Sequence, residues 1–384
     1  MAQYLKILSL AVASCGSLLA QSATGDAARG EQVLRDRGCI NCHKVNGEGG
    51  NRAPDLGVRK SRNYTPAGLA GVLWNHDPSA WAQTGVRTKG AFAINAGQSA
   101  DLFAYFTSKR YFEPMADARR GKQIFRAKQC SSCHGIRERA SADAPTVVTW
   151  HSLRDPIGFA LDTWNPQGME RALERKGVRY PRFTSQEMND LLLYLDNLRE
   201  IRSKKFQFQL ADSEQGRNVF HSVQCDSCHQ GKASLEERTE RISLADIQAE
   251  IWNASTRLKT LPAVSRDEMS NLFAYLWSLE PRGDAHHGEI AFTKKKCATC
   301  HTGQGSSAPM LSERDLSPVS MVAALLSHGS AMQAELTKRS LAWPQIHETE
   351  ISDMAAYLRD RHPSAANEVP YRAAALDILS SRYR

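Results

Sequence analysis

Eight of the nine cysteines in this chain stand in four copies of one pattern, in which two cysteines three positions apart are followed at once by a histidine. Two thiols at this spacing lie one helical turn apart and can bond to two groups of the same molecule, while the adjacent imidazole can bind a metal. Four copies in 384 residues are not accidental. They read Cys39-Ile-Asn-Cys42-His43, Cys130-Ser-Ser-Cys133-His134, Cys225-Asp-Ser-Cys228-His229 and Cys297-Ala-Thr-Cys300-His301.

This pattern predicts covalent attachment of a c-type haem at each copy. The two thiols add to the vinyl groups of one porphyrin, and the histidine lies under the iron as its proximal ligand. Zinc ribbons instead pair two cysteine knuckles about 15 to 20 residues apart, and a thioredoxin-like dithiol usually occurs once. We therefore predict four covalently bound haem c groups, attached through Cys39, Cys42, Cys130, Cys133, Cys225, Cys228, Cys297 and Cys300, with iron ligated by His43, His134, His229 and His301.

The ninth cysteine lies in a segment that predicts export. Residues 1–23 combine Lys6 with an apolar run from Ile7 to Ala13, as a signal peptide does, and the run is too short to cross a bilayer. The run ends in Val12-Ala13-Ser14-Cys15, which resembles the lipobox of bacterial lipoproteins, and plain cleavage near Ala20 is the alternative. Either route predicts that the mature chain is exported, to the periplasm or to a membrane on the side that faces the periplasm or the exterior.

The elements that carry the four motifs also repeat. A glycine stands nine residues before the first cysteine of each copy, and an apolar residue follows that glycine by four, which is the spacing of one buried helix face. These pairs are Gly30 and Leu34, Gly121 and Phe125, Gly216 and Phe220, and Gly288 and Phe292. Each copy closes with an apolar helix that contains a tyrosine, at Tyr105, Tyr194, Tyr275 and Tyr357. We predict that the two helices cross at the glycine, where the backbones can approach closely.

This arrangement resembles the class I cytochrome c fold, repeated four times between residue 24 and about residue 362. The resemblance implies an all-α protein of four tandem helical domains, each built around a haem that supplies the apolar filling such short units lack. The expected domains are residues 24–114, 115–203, 204–283 and 284–362, after the signal peptide 1–23 and before a basic tail, 363–384, that has no assignment.

The family also implies how each proximal histidine is held. A proline carbonyl near the haem cysteines accepts a hydrogen bond from the ring and fixes its orientation. Pro54 and Pro145 follow their histidines by 11 residues, and Pro309 follows its own by 8. The third repeat has no proline between His229 and Pro262. Its proximal side is supported by another carbonyl or is less constrained.

The sixth iron ligand in this family is usually a methionine in the loop between the middle and last helices, and its thioether raises the reduction potential. Met169 in repeat 2 and Met332 in repeat 4 stand where this ligand is expected. Met310 and Met321 are rivals of Met332, and core filling is the alternative role for each methionine.

Repeats 1 and 3 lack this methionine. None occurs between His43 and Pro114, and Met269 of repeat 3 belongs to the closing helix, where we expect it in the core. His76 is a candidate ligand of the first iron, but His328 occupies the same place in a repeat that keeps its methionine, so a role in loop structure is equally open. For the third iron the candidates are water, no ligand, Lys259, His151, His286 or His287.

The net charge of the chain indicates which classes of partner it can bind. The chain has 49 Lys and Arg against 41 Asp and Glu, a net charge of +8 and a pI near 9.0, which favours acidic proteins or anionic lipid and is weak support for nucleic acid. Lys294-Lys295-Lys296 stands directly before Cys297, resembling the lysine ring by which such cytochromes meet acidic partners, although a solvated charge run is the alternative.

The resemblance predicts an exported tetrahaem cytochrome that carries single electrons between redox partner proteins, without catalytic residues or a nucleic acid partner, and attached to a membrane if Cys15 is lipidated. A haem enzyme, such as a peroxidase or an oxidoreductase of small anions or sulfur compounds, and a ligand sensor are the alternatives. Both would use an open iron at haem 1 or haem 3.

Overall fold

A computed structural model of the chain describes residues 25–57, 65–76, 93–142, 144–150, 152–164, 166–204, 206, 208–235, 242–279, 283–301, 308–311, 316–347 and 349–361. The predicted signal peptide with Cys15, the tail 363–384 and His151 lie outside these residues. Within these ranges, no helix combines the length and apolar character needed to span a bilayer.

The fold is all-α, as predicted. Two-residue strands add small antiparallel pairings, in which β1 (Gly25–Asp26) pairs with β4 (Gln209–Leu210) and β2 (Lys44–Val45) pairs with β3 (Glu48–Gly49). In chain order the helices are α1 (Ala27–Asp36), α2 (Pro66–Trp74), α3 (Ala96–Ser108), α4 (Ala118–Ala127), α5 (Pro156–Trp164), α6 (Gln167–Arg175), α7 (Ser185–Asp196), α8 (Arg199–Arg202), α9 (Ser213–Ser222), α10 (Leu244–Leu258), α11 (Arg266–Ser278), α12 (Ala285–Lys294), α13 (Pro318–Lys338) and α14 (Glu350–Arg361).

The helices form four similar groups, which we call units 1 to 4. Each unit opens with a ten-residue helix (α1, α4, α9 or α12) that ends just before a Cys-x-x-Cys-His motif, and closes with the helix that packs across it (α3, α7, α11 or α14). The middle helices are α2 in unit 1, α5 and α6 in unit 2, α10 in unit 3 and α13 in unit 4.

Opening and closing helices cross at the predicted glycine in every unit. A Cβ on Gly30 would lie 2.0 Å from the carbonyl oxygen of Asp101, and a Cβ on Gly121 would lie 2.0 Å from that of Asp190. Only glycine permits this approach, which confirms the predicted role of the residue. The tyrosine beside each crossing contacts the predicted aromatic residue in units 2 to 4, with ring centroids 6.1, 5.5 and 5.7 Å apart for Phe125–Tyr194, Phe220–Tyr275 and Phe292–Tyr357.

A polar side chain on each closing helix fixes the same crossing. It accepts a hydrogen bond from the backbone N–H of the aspartate that caps the opening helix. The sequence has an aspartate four residues before each crossing glycine, and this repeated signal was not used to predict the crossings. The bonds join Asp26 to Asp101 (2.6 Å), Asp117 to Asp190 (2.6 Å), Asp212 to Asn271 (3.1 Å) and Asp284 to Asp353 (2.8 Å).

Asp190 shows how such a buried group stays charged. Burial opposes its ionisation, but the Arg120 guanidinium, the Asp117 N–H and the Gln186 amide all donate to it and together hold the pKa of Asp190 below its usual range. The nearest of the Arg120 nitrogens, Nε, lies 2.7 Å from Oδ2 of Asp190. The carboxylate therefore joins the N-terminus of α4 to α7 while nearly excluded from solvent.

The units pack as two pairs, 1 with 4 and 2 with 3. In each pair a middle helix of one unit contacts a middle helix of the other, and each of these two also contacts the closing helix of the partner unit. The contacts in the first pair are α2 with α13 and α14, and α13 with α3. The contacts in the second pair are α10 with α5 and α7, and α11 with α5.

Units 1 and 3 join the pairs together. Strands β1 and β4 pair between these units, and the Trp277 ring of unit 3 meets Phe112 and Phe103 of unit 1 edge-on, with centroids 5.5 and 6.1 Å apart. The Glu113 carboxylate also accepts hydrogen bonds from the first backbone N–H groups of α10, at Leu244 and Ala245.

Candidate haem sites

Each Cys-x-x-Cys-His motif forms a short 3-10 turn after its opening helix. The residue before the first cysteine has a left-handed backbone, with φ of 71° at Gly38, 61° at Gln129, 62° at Gln224 and 61° at Lys296. The histidine N–H then donates to the carbonyl of the first cysteine at 2.8 to 3.0 Å in all four turns. The imidazole thus stands one turn after the first thiol, the placement that attachment to a haem requires.

The first thiol of each turn is shielded from water. Burial raises the pKa of each of these thiols to about 11, so they are neutral at neutral pH and are poor nucleophiles until they are activated. This holds for Cys39, Cys130, Cys225 and Cys297.

Three proximal histidines contact the predicted proline carbonyl. Nδ1 lies 2.7 Å from the Pro54 oxygen in His43, 3.0 Å from the Pro145 oxygen in His134, and 2.9 Å from the Pro309 oxygen in His301. A carbonyl only accepts hydrogen bonds, so Nδ1 carries the proton and Nε2 keeps its lone pair for a metal. The predicted contact is confirmed, and these residues fit a haem iron.

Unit 3 differs on its proximal side. Within the part of the chain that the structure describes, the His229 ring makes no hydrogen bond, and it lies exposed with the Phe220 ring 6.1 Å away. Met269 is fully buried in α11, which confirms its role in the core. Lys259, a candidate ligand of this iron, is paired with Glu170 of unit 2 at 2.9 Å. His287, another candidate, is exposed near Asp284.

The structure places both candidate methionines on helices, whereas the family pattern predicts a loop. Met169 lies in the first turn of α6 and Met332 inside α13, and both are partly buried. In unit 2, Pro166 separates α5 from α6, but no proline interrupts α13 after its first residue, so that helix continues for 21 residues. The assignment of both thioethers as iron ligands stays a prediction. Met310 directly follows Pro309, on the proximal side of unit 4.

His76 lies opposite His43 in unit 1. The two ring centroids are 6.1 Å apart and the ring planes are inclined by 38°. Nδ1 of His76 lies 2.7 Å from the Val72 carbonyl oxygen, one turn earlier. Burial lowers the pKa of His43, its hydrogen bond to Pro54 partly offsets this, and the nearby His76 lowers it further. The lowered pKa of His43 favours the neutral imidazole, which is the state that binds a metal.

Trp-Asn pairs on two middle helices, at the end of α2 and inside α10, join the units of each pair. The Trp74 indole donates to the Pro344 carbonyl at 2.7 Å, and the Asn75 amide exchanges two hydrogen bonds with the Ile346 backbone at 2.7 and 2.8 Å. We call such a pair with its partner segment a Trp–Asn clasp. This clasp fixes the end of α2 to the segment that leads into α14.

Unit 3 clasps unit 2 in the same way. The Trp252 indole donates to the Pro181 carbonyl at 2.7 Å, and the Asn253 amide exchanges two hydrogen bonds with the Phe183 backbone at 2.7 and 2.9 Å. In both clasps the indole and the amide therefore hold neighbouring units together.

The lysine run before Cys297 is not uniformly solvated. Lys294 and Lys296 are exposed, but Lys295 is mostly buried, donates to the Gln345 carbonyl at 2.6 Å and pairs with Glu350 at 2.9 Å. Lys128 makes the equivalent contacts in unit 2, with the Arg182 carbonyl and Glu187. The central lysine therefore joins the turn to the closing helix, and only the other two lysines of the run are exposed.

Comparison with known families agrees with this geometry. The family model described as Cytochrome c matches residues 27–107 and 118–199, and the model described as Cytochrome C oxidase, cbb3-type, subunit III matches residues 283–358. These ranges correspond to units 1, 2 and 4. No curated protein and no solved structure matches the chain.

Proposed function

Since this chain is a multihaem c-type cytochrome with a haem-binding, electron-carrying role, we propose that it holds four haems and passes single electrons between them and redox partner proteins. The observation that carries the proposal is the haem-binding turn, repeated four times with the same hydrogen bond from the histidine N–H to the first cysteine carbonyl. Unit 3, which lies outside the matched families, has this turn in the same form as the others.

The chain contributes attachment and orientation. Bound haem supplies an iron that changes between two oxidation states by one electron. Each pair of thiols would fix a porphyrin covalently, and the proline carbonyls in units 1, 2 and 4 hold the imidazole with Nε2 available. The His229 ring has no hydrogen-bond partner among the described residues, which would leave the third site with a less constrained proximal ligand and so with a different reduction potential.

The packing of the units supports exchange within two pairs. The clasps hold unit 1 against unit 4 and unit 3 against unit 2, each with three hydrogen bonds between two side chains and three backbone groups. Such rigid contacts keep neighbouring redox centres at one separation, so electron exchange does not wait for the units to move. Strand pairing between units 1 and 3 would connect one pair with the other.

For partners, we propose redox proteins with acidic docking surfaces. The net charge of +8 favours them, and Lys294 and Lys296 are exposed beside the Cys297 turn. Such complexes bury a small interface area. Their affinity falls with added salt, because exposed charges are screened over about 10 Å at 0.1 M salt.

We further propose that the mature chain is exported to the periplasm and attached to a membrane by lipid on Cys15. This proposal is supported by the charged and apolar pattern of residues 1–23 and by the lipobox-like Val12-Ala13-Ser14-Cys15.

One preparation tests these statements together. The protein is made in bacteria with haem maturation machinery, its intact mass is measured, and the same sample is titrated coulometrically and assayed for peroxide turnover. We expect four covalent haems, four electrons taken up reversibly per chain, an N-terminus at a lipidated Cys15, and no catalytic consumption of peroxide. Fewer haems or electrons would contradict the tetrahaem proposal. Catalytic turnover of peroxide would favour a haem enzyme, and an unlipidated N-terminus would refute the anchor alone.

A further inference from the structure

The sequence leaves the sixth ligand of the first iron open, because unit 1 has no methionine between His43 and Pro114. We propose that His76 is that ligand and that haem 1 is held between two histidines. The inference rests on the proposed function to the extent that a haem must be attached at Cys39 and Cys42.

The separation of the two rings fits an iron between them. With centroids 6.1 Å apart, the midpoint is about 3 Å from each centroid, close to the sum of an imidazole–metal bond of about 2 Å and a ring radius of roughly 1 Å. The inclination of 38° between the ring planes is compatible with ligation, because each ring can turn about its own metal–nitrogen bond.

Both rings are also in the tautomer that ligation needs. Nδ1 of His43 donates to the Pro54 carbonyl and Nδ1 of His76 donates to the Val72 carbonyl, each at 2.7 Å. Because a carbonyl can only accept, Nε2 of each ring carries the lone pair. A backbone carbonyl that fixes the ring through Nδ1 is the usual support of a metal-ligating histidine. His76 thus has the same support as the proximal ligand, from a different segment.

The clasp between units 1 and 4 holds His76 in place. The two preceding residues, Trp74 and Asn75, are bonded to the backbone of unit 4, and the His76 N–H donates to the Leu73 carbonyl at 3.2 Å. The ring is half-buried. Unit 4 therefore fixes the direction in which unit 1 presents this imidazole, which is a function for the clasp besides joining the units.

Comparison with units 3 and 4 distinguishes iron ligation by His76 from a purely structural role in the loop. His328, the counterpart of His76 in the sequence of unit 4, is exposed on α13. In unit 3 the clasp residues Trp252 and Asn253 are followed by Ala254, which has no group that could bind a metal. Within this alignment, only unit 1 combines the clasp with a histidine directly after it.

A second imidazole in place of a thioether lowers the potential of haem 1 relative to haems ligated by histidine and methionine. Electrons entering the pair of units 1 and 4 would then rest preferentially on unit 4, provided that Met332 ligates its iron. Electron transfer within this pair would therefore be favoured from unit 1 to unit 4.

The test compares the full-length wild-type protein with His76→Ala and His76→Met, and uses His328→Ala as the matched control. Haems are counted by the pyridine assay, and each protein is examined by electron paramagnetic resonance when oxidised and by carbon monoxide titration when reduced. We expect His76→Ala to gain one high-spin iron and one further equivalent of bound carbon monoxide per chain. We expect His76→Met to gain the near-infrared band of methionine-ligated ferric haem and to raise one of the potentials.

His328→Ala should match the wild type in every one of these measurements. If the haem count is unchanged and both His76 variants keep the spin state, carbon monoxide uptake and potentials of the wild type, His76 is not a ligand and the inference is wrong, while the electron-carrier proposal stands. If the wild-type protein itself holds no haem at Cys39 and Cys42, the proposed function fails at unit 1, and this inference fails with it. If His76→Ala does not fold, the spectrum and potential of His76→Met decide the matter.

Discussion

Replacing Asn253 by alanine should release the segment of unit 2 that it clasps. Asn253 accepts a hydrogen bond from the Phe183 N–H at 2.9 Å and donates one to the Phe183 carbonyl at 2.7 Å, and Phe183 is only 4% exposed. Alanine leaves both backbone groups without this partner in a buried place.

The size of the effect follows from the two groups left unpaired. Each buried polar group without a partner costs about 1 to 3 kcal/mol, and the partial exposure of Asn253 itself lets water compensate in part. For the two groups together we expect a loss of about 2 to 4 kcal/mol, which increases local opening roughly 30-fold to 1000-fold.

Native-state hydrogen exchange of the Phe183 amide measures this opening directly, without the assumption that a protein of several units unfolds in one step. Asn197→Ala, at an exposed asparagine of the same unit, is the control and should leave protection of this amide unchanged. Asn75→Ala should have a similar effect at Ile346, independently of the first change, because the two clasps lie in different pairs. A loss of protection below about threefold at Phe183 would show that the clasp is not a stabilising contact.

Two further predictions concern the helix crossing of unit 2. Gly121→Ala should destabilise the folded protein by at least about 3 kcal/mol, because its Cβ would lie 2.0 Å from the Asp190 carbonyl oxygen. The control is Gly168→Ala, whose Cβ would have no atom within 4 Å and which should be neutral or slightly stabilising in denaturant unfolding. Equal effects of the two substitutions would contradict the proposed close crossing of the helices at Gly121. Because its folded pKa is depressed, Asp190 stabilises the protein fully above its unfolded pKa of about 4 and loses this contribution as pH falls through the lower folded value. The difference in unfolding free energy between wild type and Asp190→Asn should accordingly be constant near neutral pH and shrink in acid, and a difference that stays the same from pH 7 to pH 2 would refute the assignment.

Features that depend on local spacing could be predicted from the sequence. The haem-binding turns follow from five consecutive residues, and the crossings at Gly30 and its three counterparts follow from a glycine placed at a fixed distance before each turn. The proline carbonyl contacts follow from the family resemblance and were correct in three units, since Pro54, Pro145 and Pro309 remain close to their histidines in sequence.

Features that depend on which units meet could not be predicted. Trp74 and Trp252 are each followed by an asparagine in the sequence, but their partners lie in another unit, and no local periodicity indicates which one. The helical setting of Met332 was also missed. A loop was expected from the resemblance, whereas no helix breaker interrupts the segment from Met321 to Met332 except Gly329, which α13 accommodates.

The pairing of the units has a consequence for the order in which the chain completes its fold. The pairs are nested, because the contact of units 2 and 3 closes a separation of 71 residues, from Pro181 to Trp252, while that of units 1 and 4 closes one of 270, from Trp74 to Pro344. The difference in loop-closure entropy is only about 1 kcal/mol. During synthesis, however, the inner pair can form as soon as unit 3 is made, while the end of α2 waits for the last unit. A chain truncated before unit 4 would therefore contain a folded pair of units 2 and 3 and a unit 1 that lacks its partner.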